Sequence, residues 1–225
     1  MQVTPGYEVL PFYILCDESG SMDANGGIDA VNMSLPELHA TIADDPLVSD
    51  KCRVGLITFS DTAEELLPLS KLSDVQSMPG LVAKGTTNYG EAFNLLRLVI
   101  SRDVANMKSQ GLQVYRPAVF FITDGMPSDE DDWESKHRAL TDKSVNPQAP
   151  NVIAFGVAGA NPVVIGKIGT KAAFIAKPGV NPGAVLKEIL KSLTKSIMDS
   201  GYAPTQTLIV PVAPPGTTAV PLELI

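Results

Sequence analysis

Three stretches of the chain place oxygen donors where apolar runs stop. The first is Phe12-Tyr13-Ile14-Leu15-Cys16-Asp17-Glu18-Ser19-Gly20-Ser21-Met22. Its apolar residues end abruptly in a carboxylate and two hydroxyls at alternate positions. A buried parallel strand has this pattern when it delivers a polar site to its C-terminal end. Asp17, Ser19 and Ser21 are hard oxygen donors close enough to converge on one small cation, and Gly20 lets the backbone curl around it. The second stretch, Lys84-Gly85-Thr86-Thr87-Asn88-Tyr89-Gly90, is a loop that offers Thr86 or Thr87 at the head of a helix. The third, Val119-Phe120-Phe121-Ile122-Thr123-Asp124-Gly125, ends a second apolar run in Asp124. Two carboxylates and three hydroxyls suit a Mg²⁺-like ion, with water completing an octahedron; Mn²⁺ and Ca²⁺ accept the same donors. So lightly charged a cage leaves the cation ready to take a carboxylate from another molecule.

The elements that must position these donors alternate along the chain. Strands are predicted at Val9 to Cys16, Arg53 to Phe59, Val114 to Thr123, Asn151 to Val157 and Ala172 to Ala176. Thr62 to Leu69 follows the second strand after only Ser60-Asp61, so it should return antiparallel at a sheet edge. Apolar residues at helical spacing predict a helix from about Ile28 to Ala43, with Pro36 as a kink or break. A second helix carries Ala92, Phe93, Leu95, Leu96, Val99 and Ile100 on one side. Ser128 suits an N-cap before the solvated run Asp129 to Asp132. A short helix is expected at Asn161 to Ile168, and a closing one at Pro182 to Met198 with Gly201 beyond its end. The fold class is α/β: a doubly wound, mostly parallel six-stranded sheet with one antiparallel edge strand and helices on both faces. Ligands of such sheets bind outside the carboxyl ends of the strands, where Asp17 and Asp124 lie.

The domain is expected over residues 1–201. Residues 202–225 form a Pro-rich tail, either flexible or a pair of extended segments, Thr207 to Val212 and Thr218 to Leu224, that add to a sheet edge. The 225 residues are 44% hydrophobic and 19% charged, as for an ordinary globular protein. The net charge of −8 repels nucleic acid and anionic lipid, and sets both aside as main partners. Neither a leader nor a run of membrane-spanning length is visible, so a cytoplasmic protein without membrane insertion is expected. Cys16 and Cys52 fall at opposite ends of neighbouring parallel strands, too far apart to bridge, which suits a reducing compartment. His39 and His137 lie in predicted helices at the surface and have no zinc-ligand spacing. Met126 and Trp133 could form an apolar rim near Asp124 or pack inside.

With these segments in place, the chain resembles the von Willebrand factor type A domains. Asp17-Glu18-Ser19-Gly20-Ser21 matches the D-x-S-x-S segment of that family's metal-ion-dependent adhesion site. Thr87 matches its threonine, three residues before Gly90, with Thr86 as the fallback, and Thr123-Asp124-Gly125 matches its last segment. The resemblance covers roughly Glu8 to Ser200 and implies a Rossmann-like fold. It also implies that Ser19, Ser21 and Thr87 touch a metal, while Asp17 and Asp124 act directly or through water. A narrower likeness is to compact bacterial members of the tellurite-resistance-associated group, carried by Leu10-Pro11-Phe12-Tyr13-Ile14-Leu15 and the Gly-Thr-Thr loop. Glu18 departs from the family pattern, and its carboxylate is expected near the metal, where it would weaken binding of an acidic ligand.

The function that follows is non-enzymatic. A protein partner would supply an acidic side chain to Mg²⁺ held by Asp17, Ser19, Ser21, Thr87 and Asp124, in a bacterial stress or tellurite-resistance-type system. Two alternatives stand beside it. One is an assembly subunit that works through its tail. The other is a Mg²⁺-dependent phosphohydrolase with Asp17 as nucleophile. The second lacks an acid/base carboxylate two residues on, where Ser19 stands, and has no obvious lysine for phosphate beyond Lys84.

Overall fold

The computed structural model describes residues 7–128, 132–204 and 207–222. Strand β1 (Glu8–Asp17) is buried along nine of its ten residues. It lies between two parallel neighbours, β2 (Cys52–Phe59) and β5 (Ala118–Thr123). Strand β3 (Ala63–Ser70) runs antiparallel to β2 at one edge. Pro68 is tolerated there because an edge strand can lack one ladder donor. Strands β6 (Asn151–Gly156) and β7 (Ala172–Ala176) extend the sheet in parallel on the far side of β5. The six expected strands thus stand in their expected directions.

Two short strands join them. β4 (Gln113–Val114) pairs with the start of β1, and β8 (Thr217–Ala219) runs antiparallel on β7, giving the order β3-β2-β1-β5-β6-β7-β8. The single strand expected at Val114 to Thr123 is therefore two pieces. Pro117 has no N–H to give the ladder at that point, so pairing resumes at Ala118.

Side chains of β1 alternate between two cores. Phe12, Ile14 and Cys16 face one side, packed under helices α2 (Gly27–Ala43) and α7 (Pro182–Tyr202). Tyr13 and Leu15 face the other, under α4 (Tyr89–Ser109), α5 (Trp133–Thr141) and α6 (Pro162–Ile168). Two short helices absent from the sequence reading, α1 (Gly20–Ala24) and α3 (Pro46–Lys51), complete the first face. Among the described residues no helix is long and apolar enough to cross a membrane. Cys16 and Cys52 are buried and unpaired; the register puts them six positions apart, at opposite ends of β1 and β2.

Several expectations change. Helix α2 runs through Pro36 without a break, held by the buried row Val31, Leu35, Leu38 and Ile42. Gly201 lies inside α7, not after it; it packs closely on Val48, from which a Cβ there would stand only 3.0 Å. Ser128 is not the N-cap of α5: its N–H and hydroxyl both donate to the Thr87 carbonyl. Asp129 to Asp131 lie outside the described residues, and Asp132 occupies the N-cap of α5. His39 is half-buried, with Nε2 against the Leu72 and Val75 carbonyls.

The last segment folds back along α7. The Ile209 N–H donates to Ser200 Oγ at 2.8 Å, and Ser196 Oγ donates to the Ile209 carbonyl. Gly216, at φ +83°, sits against Val185 and turns the chain into β8. Thr207 to Val212 carries no strand, and Leu224 lies outside the described residues.

His137 is buried, not at the surface. Its Nε2 lies 2.9 Å from the Ile168 carbonyl, so that nitrogen must carry the proton, and its ring packs edge-on to Phe93. Burial pulls its pKa down to about 4, against the smaller opposing pulls of the Ile168 carbonyl and Glu134. An unfolded histidine titrates near 6.5, so the unfolded chain binds the proton first as the pH falls. Stability is therefore full above pH 6.5 and is lost down to pH 4, by about 3 kcal/mol for a shift of this size. His137→Gln should remove this dependence. In urea unfolding, wild type is expected to lose about 3 kcal/mol relative to the variant between pH 7 and pH 4. A constant difference would place His137 in contact with solvent.

Candidate metal centre

The site begins with register. Cys16 pairs with Ile122, so Asp17 and Thr123 end neighbouring parallel strands side by side. Thr123 Oγ1 donates to Asp17 Oδ2 at 2.5 Å, and the Ser19 N–H donates to Asp17 Oδ1 at 2.8 Å. Both oxygens of Asp17 are thereby engaged. The chain then turns into α1, which carries Ser21 over the end of β5. Ser21 Oγ donates to Asp124 Oδ1 at 2.7 Å and lies 3.0 Å from Ser19 Oγ.

Thr87 arrives from the loop before α4. That loop is tied to its neighbours by backbone: Lys84 N–H to the Glu18 carbonyl, Gly20 N–H to the Gly85 carbonyl, and Asn88 N–H to the Ser60 carbonyl. Gly85 needs a positive φ of +64°, and a Cβ there would collide with Asp61. Gly125 is closely approached, since a Cβ on it would stand 3.0 Å from Thr87 Oγ1 and 3.7 Å from Asp17 Oδ2. The structure separates the two adjacent threonines. Thr86 gives its N–H and hydroxyl to Asp61, outside the cluster, whereas Thr87 is buried with its hydroxyl against Gly125, which also lies beside Asp17 Oδ2. Asp17, Ser19, Ser21, Thr87 and Asp124 thus stand together.

Three further residues belong to this arrangement. Thr123 holds Asp17, and the Tyr89 hydroxyl reaches both the Gly125 carbonyl, at 2.9 Å, and Thr123 Oγ1, at 3.2 Å. Asn25 Nδ2 reaches Asp124 Oδ2 at 3.1 Å. Thr123 and Tyr89 lie in the segments already singled out, whereas Asn25 is signalled only by its place four residues after Ser21, which requires a helix over Gly20–Ala24. Met126 is 48% exposed beside Asp124, whereas Trp133 is buried against Tyr89 and Phe93.

Asp17 and Asp124 are 0% and 3% exposed, and among the described residues neither forms an ion pair. Burial pushes the Asp17 pKa up to about 6; the bonds from Thr123 and Ser19 oppose the rise, and the Asp124 charge adds to it. Among the described residues no three His, Cys, Asp or Glu side chains are placed to hold a metal ion by themselves, so the donors here are chiefly hydroxyls.

The model of the von Willebrand factor type A domain family matches residues 12–126. The chain belongs to that family. Solved structures with the same fold include proximal thread matrix protein 1 from the mussel byssus, 18% identical with a TM-score of 0.58, covering 86% of this chain and 49% of that one. They also include a von Willebrand factor type A protein from Catenulispora acidiphila, 16% identical, TM-score 0.60, covering 85% and 43%. A third is the ArnB paralog VWA2 from Sulfolobus acidocaldarius, 16% identical, TM-score 0.53, covering 85% and 46%. This chain spans less than half of each of these relatives. Another structure of the mussel protein has zinc in its adhesion-site motif. Comparison with curated proteins gave no match. The narrower likeness to the tellurite-resistance-associated group finds no support in these matches.

Glu18 lies inside this type A domain's adhesion-site segment, but its carboxylate does not stand free. It is buried and paired with Lys84 Nζ at 2.9 Å, while Lys84 also lies 3.4 Å from Glu64. The charge expected to repel an incoming carboxylate is therefore neutralised, and the nearest lysine is removed from the site. Lys84→Met should strand the buried Glu18 carboxylate. Lys84 is half exposed, so the loss should be about 2 kcal/mol, below the roughly 3–5 kcal/mol of a fully buried pair. Adding Glu18→Gln should restore part of it in urea unfolding. Unchanged stability in Lys84→Met would mean that water serves Glu18 as well as Lys84 does.

Proposed function

We propose that this domain is a non-enzymatic, metal-dependent protein-binding module. One observation carries the reading: two buried carboxylates lie side by side, ringed by hydroxyls, with no cationic side chain bonded to either among the described residues. Buried charge left without a counter-charge is costly, and a divalent cation removes that cost. Ser19 Oγ, Ser21 Oγ and Asp124 Oδ1 are already gathered at hydrogen-bond distances of 3.0 and 2.7 Å, so hard oxygen donors stand close together. Mg²⁺, Mn²⁺ and Ca²⁺ all accept such donors.

Ser19, Ser21 and Thr87 would hold the ion, with Asp17 and Asp124 contributing directly or through water. Bound there, the ion supplies an electrophilic point for the carboxylate of a protein partner. Zinc in the adhesion site of the mussel protein supports a divalent ion at this position of the fold. The phosphohydrolase alternative loses ground because Ser19, not an acid/base carboxylate, stands two residues after Asp17, and Lys84 is paired with Glu18. The assembly alternative loses ground because β8 is already spent on the chain's own β7. We take residues 1–201 as the metal-binding body and 202–225 as the appendage that returns to it. A reducing, cytoplasmic setting fits two buried free thiols, and a bacterial stress system remains the setting suggested by the opening segment and the Gly-Thr-Thr loop.

Calorimetric titration with Mg²⁺ should show one site in wild type and none in Asp124→Ala. Saturating Mg²⁺, at about a hundred times Kd, should raise the unfolding free energy by about 2.7 kcal/mol. A native-host lysate passed over wild type with Mg²⁺ should yield a protein that EDTA and Asp124→Ala both release. Retention that ignores metal and mutation alike overturns the reading.

A further inference from the structure

We infer that Asn25 is a positioning residue of this centre, clamping Asp124 in the orientation a small cation requires; the inference rests on the metal-site reading above. Helix α1 places Ser21 in its first turn and Asn25 at its C-cap. Residues four apart share one helix face, so their side chains point the same way. Both reach Asp124. The Ser21 hydroxyl takes Oδ1 at 2.7 Å and the Asn25 amide takes Oδ2 at 3.1 Å, so one turn of helix brackets the two carboxylate oxygens.

Asn25 is itself well fixed. The second hydrogen of its amide goes to the Ser21 carbonyl at 3.1 Å, and its backbone N–H goes to the same carbonyl at 3.3 Å. Gly26, at φ +66°, then turns the chain away into α2. Asn25 also lines a groove of about 320 Å³ with Gly26, Asp29, Met33 and Lys187. Its amide thus covers Oδ2 of a carboxylate that is only 3% exposed, beside an open groove. A cation touched by Ser21 would have Oδ1 as its near oxygen, and Asn25 keeps Oδ2 from swinging into its place. Without Asn25, water from the groove reaches Oδ2 and the carboxylate can rotate.

This role predicts a change in cation selectivity. Mg²⁺ demands near-ideal octahedral geometry, whereas Ca²⁺ accepts longer and more variable bonds. Asn25→Ala should weaken Mg²⁺ binding about tenfold, the scale of one hydrogen bond to a charged group, and Ca²⁺ binding by less than about threefold. Asn25→Ser, too short to reach Asp124, should behave as Asn25→Ala does. Calorimetric titration of wild type and both variants with each ion reads this directly, with metal-free melting temperatures as the control for folding. Equal weakening of both ions, or weakening that only follows a fallen melting temperature, overturns the positioning role. So does unchanged Mg²⁺ affinity in both variants. Failure of wild type to bind either ion instead overturns the metal-site reading, and this inference falls with it.

Discussion

The pairing of Asp17 with Thr123 across the ends of β1 and β5 is the contact on which the rest of the site depends. It places a carboxylate at the carboxyl end of the most enclosed strand, with apolar cores on both faces. Such a group is costly to bury unless its oxygens are hydrogen-bonded. The chain meets that demand with neutral donors, Thr123 Oγ1 and the Ser19 N–H, and not with a lysine or arginine. The carboxylate keeps its charge available, and burial raises its pKa as a consequence. Asp124 is treated alike, with a hydroxyl and an amide on its two oxygens.

Everything around this pair keeps cations out and oxygens close. Lys84 is held by Glu18, so a charge that would otherwise settle on the site is spent beside it. Gly125 leaves room for Thr87 to approach, and Tyr89 ties Gly125 and Thr123 together from the head of α4. The tyrosine also packs edge-on against Phe59, Phe121 and Trp133, so the apolar core beneath α4 and the polar site above share one side chain. A rigid interior thereby sets the position of hydroxyls that lie on loops.

Asp17, Ser19, Ser21 and Asp124 were legible in the sequence because each follows a run of apolar residues too continuous to be anything but a buried strand. The preference for Thr87 over Thr86 came from the family resemblance and not from the residues themselves, since adjacent threonines in a loop face opposite ways and the Asp61 that takes the Thr86 hydroxyl is far off in sequence. Helix α1 was hidden by its five-residue length, by Gly20 as its first residue and by Gly26-Gly27 soon after it, and with it went Asn25. Pro36, Gly201 and His137 misled for one common reason: local propensity was overridden by packing. A proline stays in α2 where an apolar row holds the helix, a glycine continues α7 where Val48 leaves no room for a Cβ, and a histidine is buried where Ile168 offers a carbonyl.

The charge of the whole molecule bears on how the proposed module would select its partner. A net charge of −8 repels an acidic protein at a distance, although salt limits that reach to about 8 Å under physiological conditions. Two carboxylates and one divalent cation sum to zero, so the occupied site would not reverse the long-range field. Attraction arises only at contact, where a cation bound mainly by neutral hydroxyls keeps most of its charge for an incoming oxygen. Encounter would then be slow and unselective, and discrimination would rest on dissociation, which ends when the metal–carboxylate bond breaks. A partner that brings one well-placed carboxylate among neutral or basic neighbours would satisfy both conditions. An acidic patch, repelled by the surrounding surface, would satisfy neither.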